Sequence, residues 1–192
     1  MTERAMLRLL SAALLLALPI TTSADTFSDA AGRYKVQSSS VIHFSVAQMG
    51  GQAIEGTFGQ FRGAFDLKAG SIGQSKVDIT IDAVSVKAAD PRIEEFIRSA
   101  PVFDAANHPA IRFVSTGVTR TGDTSASIEG QLTAKGRTRP ARFAVTLDGQ
   151  SGKTLKFHVT GKLSRALFGM DVGTPVYSNV VVLDMTLVGR KQ

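Results

Sequence analysis

The 192 residues include no cysteine, which excludes disulfides, thiolate metal sites, thiol nucleophiles and thiol redox chemistry together. An exported domain of this size does without disulfides if it buries enough core. Beyond residue 24 no apolar run approaches the roughly 20 residues that a helix needs to cross a bilayer, so the chain after that point reads as soluble. Histidine is scarce, at three residues. His43 and His158 fall on the polar faces of strand-like segments and His108 precedes a proline in a turn, so no converging set of metal ligands is expected. Glu94 and Glu95 are neighbours on a helix, about 100° apart, and read as a solvated face rather than an acid–base pair. No Gly-x-Ser-x-Gly nucleophile turn is present. The stretch 149–154 has the residue types of a phosphate loop, but with the wrong glycine spacing and a strand after it instead of a helix. Nothing in the chain names a catalytic residue, a metal or a cofactor, and the reading is of a protein that is not an enzyme.

What the sequence does contain opens with an address. Arg4 and Arg8 precede an apolar run from Leu9 to Ile20, and Thr22-Ser23-Ala24 offers the small residues that a signal peptidase reads. The run is too short to span a membrane, so residues 1–24 are predicted to be a cleavable signal peptide and residues 25–192 a single exported domain. The formal net charge of +6 suits either an anionic partner or plain solubility.

From residue 25 onward the dominant signal is alternation with period two, the mark of strands with one dry and one wet face. Eight segments show it, among them Ile42/Phe44/Val46, Phe61/Gly63/Phe65/Leu67, Val77/Ile79/Ile81, Phe143/Val145/Leu147 and Leu183/Met185/Leu187. Arg33 to Gln37 adds a short leading strand. Polar glycine turns such as Lys135-Gly136 separate the segments and are too short for parallel crossovers, so the strands are predicted antiparallel. One helix interrupts them. Asp90 caps it, Pro91 takes its first position, and Ile93, Phe96 and Ile97 form an apolar stripe before Pro101. The fold class is therefore mainly β: eight antiparallel strands that either close into an eight-stranded antiparallel β-barrel or stack as a sandwich, with one short α-helix inserted between strands.

Eight strands make a barrel whose interior is just filled, or holds one ligand if the inward side chains are small. Gly63, Ser115, Gly117, Gly130 and Gly161 fall on the inward parity. They either bend strands at barrel corners or leave a tunnel between phenylalanines, and the pattern does not choose. The phenylalanines share parity with leucine and valine, while Arg62, Arg112, Arg142, Lys156 and Lys162 lie opposite. A single-strand nucleic-acid binder would mix aromatics and cations on one face, so no nucleic-acid partner is expected. A basic exterior would instead favour transient contact with an anionic membrane surface. An exposed strand edge would allow a homodimer.

Several segments, in order, carry a family resemblance: Ser40-Val41-Ile42-His43-Phe44-Ser45-Val46, the run from Gly56 to Gly63, the helix segment with Ile97-Arg98-Ser99, Phe103-Asp104 and His108-Pro109, the stretch Ile128 to Gly136, and Arg165-Ala166-Leu167-Phe168-Gly169-Met170 followed by Val181 to Val188. Their succession, across nearly all of the chain after residue 25, resembles the YceI family. The resemblance implies a lipocalin-like barrel in the bacterial periplasm that binds a polyisoprenoid or similar amphiphilic lipid in an apolar tunnel, without catalytic residues. Gln48 stands where many relatives carry a histidine, so no role for that histidine carries over. The expected lining is Phe44, Phe58, Phe61, Ile79, Phe96, Phe103, Phe113, Phe143, Phe157, Phe168, Met170 and Leu183. The competing expectation is a stress-related structural barrel whose core is filled and which acts through a protein partner. Changing Phe113 or Phe157 to alanine separates the two: about 3–5 kcal/mol is lost from packed core, and little from the wall of an open tunnel.

Overall fold

Period-two patterning bounded by glycine turns yields eleven strands in the residues described, 26–192 of a computed structural model. They are β1 (Gly32–Val36), β2 (Val41–Gln48), β3 (Ile54–Phe58), β4 (Phe61–Leu67), β5 (Lys76–Asp82), β6 (Val86–Ala88), β7 (Ala110–Arg120), β8 (Ser125–Ala134), β9 (Arg137–Ser151), β10 (Thr154–Ser164) and β11 (Tyr177–Lys191). Helices are α1 (Thr26–Asp29) and α2 (Pro91–Arg98). The predicted signal peptide, residues 1–24, lies outside the described residues.

The eleven strands make eight staves, because three staves are broken. β1 and β2 run along the same side of β11. β3 pairs with β2 where β4 pairs with β1, and β6 pairs with β3 where β5 pairs with β4. The ring then continues β5–β7–β8–β9–β10–β11 and closes on β1, every pairing antiparallel. Closure removes the long sheet edges that would otherwise invite pairing with another chain. Among the described residues β6 is bonded on one edge alone, and α2 packs beside it. The broken staves stay in register through their breaks: Gly59 N–H donates to Ser85 O at 3.0 Å and Asp82 N–H to Gln60 O at 2.9 Å. The Asp82 carboxylate also caps the turn Ala83–Ser85 by accepting from Val84 N–H at 2.9 Å.

The predicted helix forms where expected, with the Asp90 side chain accepting from Arg92 N–H and Pro91 opening the first turn. Lys135 and Gly136 both take positive φ, 46° and 68°, the two-residue hairpin geometry that joins β8 to β9 without splaying them. Two strands escaped the sequence reading. β6 is too short for alternation to show, and β3 was visible only as part of a glycine and phenylalanine run. Gly117 was expected to face inward and is half-buried, with nothing within 4 Å of a built Cβ. A bulge between Ser115 and Gly117 inserts one residue against β8 and restores the inward parity at Val118.

Candidate functional site

The glycines inside the barrel do not act as gaps. Each lies beneath a large side chain of a neighbouring stave or, for Gly189, of the next stave but one, across β1. A Cβ on Gly161 would stand 2.5 Å from the Phe143 ring, and one on Gly130 would stand 2.5 Å from the Phe113 ring. Gly56 faces its register partner Phe44 in the same way, with 2.5 Å to the ring, and Gly63 faces Ile79. Gly189 would meet Phe65. Aromatic rings thus lie flat along the wall on the bare backbone of the next stave. They also brace one another: Phe113 and Phe143 meet edge to face at 5.0 Å, Phe65 meets Phe157 likewise at 5.4 Å, and Tyr34 stacks on Phe65 at 5.0 Å. The axis of the barrel is left open.

That opening is a continuous cavity of about 260 Å³, walled from one end of the barrel to the other by apolar side chains. Protein interiors otherwise hold few voids larger than a water molecule. Of the residues singled out from the sequence, Phe44, Phe58, Ile79, Phe96, Phe103, Phe113, Phe143, Phe157, Phe168, Met170 and Leu183 all line this cavity. Phe61 does not. It is the first residue after the break at Gly59–Gln60, where the stave bends, and its ring packs at the margin of the core instead of facing the bore. The sequence reading missed Phe27. It belongs to the four-residue α1, which carries no strand periodicity, yet it is buried and closes the end of the cavity remote from α2, with the Arg120 guanidinium 5.6 Å above its ring.

The other end is the mouth. Phe96 of α2 and Val172 line the cavity while remaining 44% and 37% exposed, so the bore meets solvent between α2 and the connection from β10 to β11. Ser75, Arg165 and Tyr177 are the polar residues in the lining. Arg165 is buried, and its five N–H groups are all spent on the chain. Nε donates to Ser178 O (2.8 Å), one terminal nitrogen to Met170 O and Val172 O (2.9 Å), and the other to Tyr177 O (2.9 Å) and Thr174 Oγ1 (3.4 Å). Burial pulls its pKa below the usual guanidinium range while the nearby Asp171 carboxylate pushes the other way. The residue is a clasp that gives the β10–β11 connection its shape.

Lys135 is a second clasp. From the hairpin turn its Nζ donates to Pro101 O at 3.1 Å and to Gly169 O at 2.9 Å, tying together the two segments that roof this end. Replacing Lys135 with alanine is expected to leave global unfolding nearly unchanged while speeding amide exchange in 99–109 and 165–176. Hydrogen exchange read by mass spectrometry checks this, since local openings and global stability separate in that measurement.

On the outer wall the structure places His43 opposite Asp184, and His158 Nε2 lies 3.0 Å from that carboxylate. His108 stands beside Asp104. Among the described residues no three such groups gather as a metal site. Lys35 faces Arg190 directly across β1 and β11, Lys156 stands on the next stave, and none of the three has a carboxylate partner among the described residues.

The model of the YceI-like domain matches residues 34–188 of this chain. A UPF0312 protein of Pseudomonas putida is 29% identical over 170 residues, covering 84% of this chain and 88% of its own length. Among solved structures, BcnA of Burkholderia cenocepacia superposes with a TM-score of 0.72 at 25% identity, covering 78% of this chain and 95% of that one. A polyisoprenoid binding domain from Saccharophagus degradans superposes with a TM-score of 0.63 at 14% identity, covering 83% of this chain and 98% of that one, a likeness of fold.

Proposed function

This chain belongs to the YceI-like domain family, and from that premise we propose that it binds a long-chain amphiphile, a polyisoprenoid, quinone tail or fatty-acyl-like lipid, in the bore of its barrel and carries or sequesters it without catalysis. The observation that carries the proposal is the open, apolar axis of a barrel whose wall is otherwise well packed. Each methylene-sized group that leaves water for such a bore contributes about 0.8 kcal/mol, so affinity grows with chain length and asks for little directional chemistry. The polyisoprenoid-binding neighbour supports this ligand class. The competing reading, a filled structural barrel acting through a protein partner, requires a core without a long void, and the cavity speaks against it. The setting proposed is the periplasm, on the strength of the N-terminal sequence pattern.

Titration of the protein with a polyprenol tests this. A one-to-one complex in native mass spectra is expected, with stabilisation of about 2.7 kcal/mol at a hundredfold excess over Kd. Absence of both effects would overturn the proposal.

The row of cations Lys35, Lys156 and Arg190 supports a second, weaker role, transient contact with an anionic bilayer. Vesicles of anionic lipid are expected to sediment the protein at low salt and release it at high salt. Charge reversal at Lys35 and Arg190 removes the association, and retention by the reversed protein would refute this contact.

A further inference from the structure

An apolar chain gains from the bore only as far as the bore extends, and at the end remote from the mouth that limit comes from outside the barrel wall. Phe27 belongs to α1, which precedes β1 and forms no part of any stave. β7 stands three staves from β1 in the ring of eight, almost diametrically across. Yet the Arg120 guanidinium that lies 5.6 Å over the Phe27 ring comes from the last residue of β7. The segment before β1 therefore crosses beneath the bore and sets its ring under the opposite wall. Phe113 and Phe143 lie along the wall on a neighbouring stave. Phe27 stands across the axis.

Two hydrogen bonds fasten this crossing segment to the barrel. Tyr34 Oη donates to Ala30 O at 2.8 Å, and Lys191 Nζ donates to Ala31 O at 2.6 Å. Tyr34 is itself fixed by stacking on Phe65, so the anchor is as rigid as the wall. Ala30 is wholly buried and Phe27 is 4% exposed. The turn Ile72–Gln74 packs against β7 at the same end, and Ile72 shares the cavity lining with Phe27. A ring placed across an apolar bore and held from behind by backbone carbonyls is a floor, since a chain that reaches it cannot bury another methylene without displacing it.

Resting on the reading of the bore as a lipid site, we infer that Phe27 sets the longest chain segment the barrel buries, so that the protein selects its amphiphile by tail length. Each methylene buried above the ring tightens binding about fourfold, the equivalent of about 0.8 kcal/mol. Methylenes beyond that number stay in water at the mouth and add nothing. Affinity plotted against chain length therefore rises and then levels, and the break marks contact with Phe27. Removing the ring makes room for roughly three to five more methylene-sized groups, which moves the break. Phe27 is thereby a specificity-determining residue at the closed end of the bore.

The test uses straight-chain primary alcohols lengthened one carbon at a time, with Kd read by displacement of a fluorescent apolar probe. In the unaltered protein Kd falls with each carbon and then levels. The levelling is expected at a longer chain in Phe27→Leu and at a longer one still in Phe27→Ala. Short alcohols bind all three proteins alike, while the longest bind Phe27→Ala about tenfold tighter or more, the equivalent of a few added methylenes. Thermal unfolding checks that the barrel of each variant is intact, and the leucine variant keeps an apolar side chain at the end should alanine loosen α1. A break at the same length in all three proteins, or an equal loss of affinity at every length, overturns the inference and leaves the bore intact as a lipid site. No binding at any length, or a Kd in the unaltered protein that never changes with length, overturns the bore reading itself.

Discussion

Replacing Gly161 with valine is expected to abolish binding of a long apolar chain and to lower stability by roughly 1–3 kcal/mol, the usual range for overpacking. The added side chain enters space held by the Phe143 ring. Backbone lies behind Gly161, so the ring has one direction left to move, into the bore. Phe113, which meets Phe143 edge to face, is pushed with it. The double variant Gly161→Val with Phe143→Ala restores the space and is expected to recover much of both losses, a coupling that a double-mutant cycle reads directly. Gly149→Ala is the control. That glycine has nothing within 4 Å of a built Cβ, and its substitution is expected to leave binding and stability alone. A Gly161→Val protein that binds normally would mean that the ligand does not pass Phe143.

Arg165→Ala is expected to lower stability by about 3 kcal/mol or more, since hydrogen bonds to a charged group contribute about 1.5–3 kcal/mol each and water at the mouth replaces part of them. The variant strips partners from the carbonyls of Met170, Val172, Tyr177 and Ser178 at once. Lysine is a poor substitute, because a point charge with three donors cannot follow the planar fork. Urea unfolding measures the loss. Faster amide exchange confined to 169–179 under native conditions would show that the β10–β11 connection is what the arginine holds. A loss below about 1 kcal/mol would mean that these contacts are incidental.

The positions behind these two expectations show how far the sequence could be read. Phe143, Phe113, Gly161 and Gly130 were all assigned to the inward face, because parity is local and survives along an unbroken strand. That Gly161 lies under Phe143 was not legible. It depends on the registers of β9 and β10, which a bulge between Lys156 and Phe157 offsets. Of the two alternatives for the glycines, strand bending or an open tunnel, the contacts at Gly161 and Gly130 go with the tunnel. The glycines seat rings, and the seated rings leave the tunnel. Parity failed where a stave is interrupted. Phe61 follows a break and packs at the core margin, and Gly117 sits in a bulge and is half-buried rather than inward-facing.

The mouth was the least legible part. Arg165 read as one basic residue in a family-like segment, because nothing in its neighbours announces that five acceptors from 170–178 fold back around it. Tyr177 and Phe27 stand at the ends of irregular segments, where period two gives no direction. Their roles come from chain reversal, which sequence periodicity does not encode. The helix, in contrast, was legible at its boundary because its signals are local: an aspartate cap, a proline after it and a stripe of spacing three and four.

The central claim, that the open axis of this barrel holds a long apolar chain, is tested most directly by native mass spectrometry of the protein isolated from its own cells, followed by solvent extraction. A single lipid of defined mass, bound one to one and lost from the Gly161→Val variant, is the predicted result. Empty protein from those cells that also refuses an added polyprenol would contradict the claim.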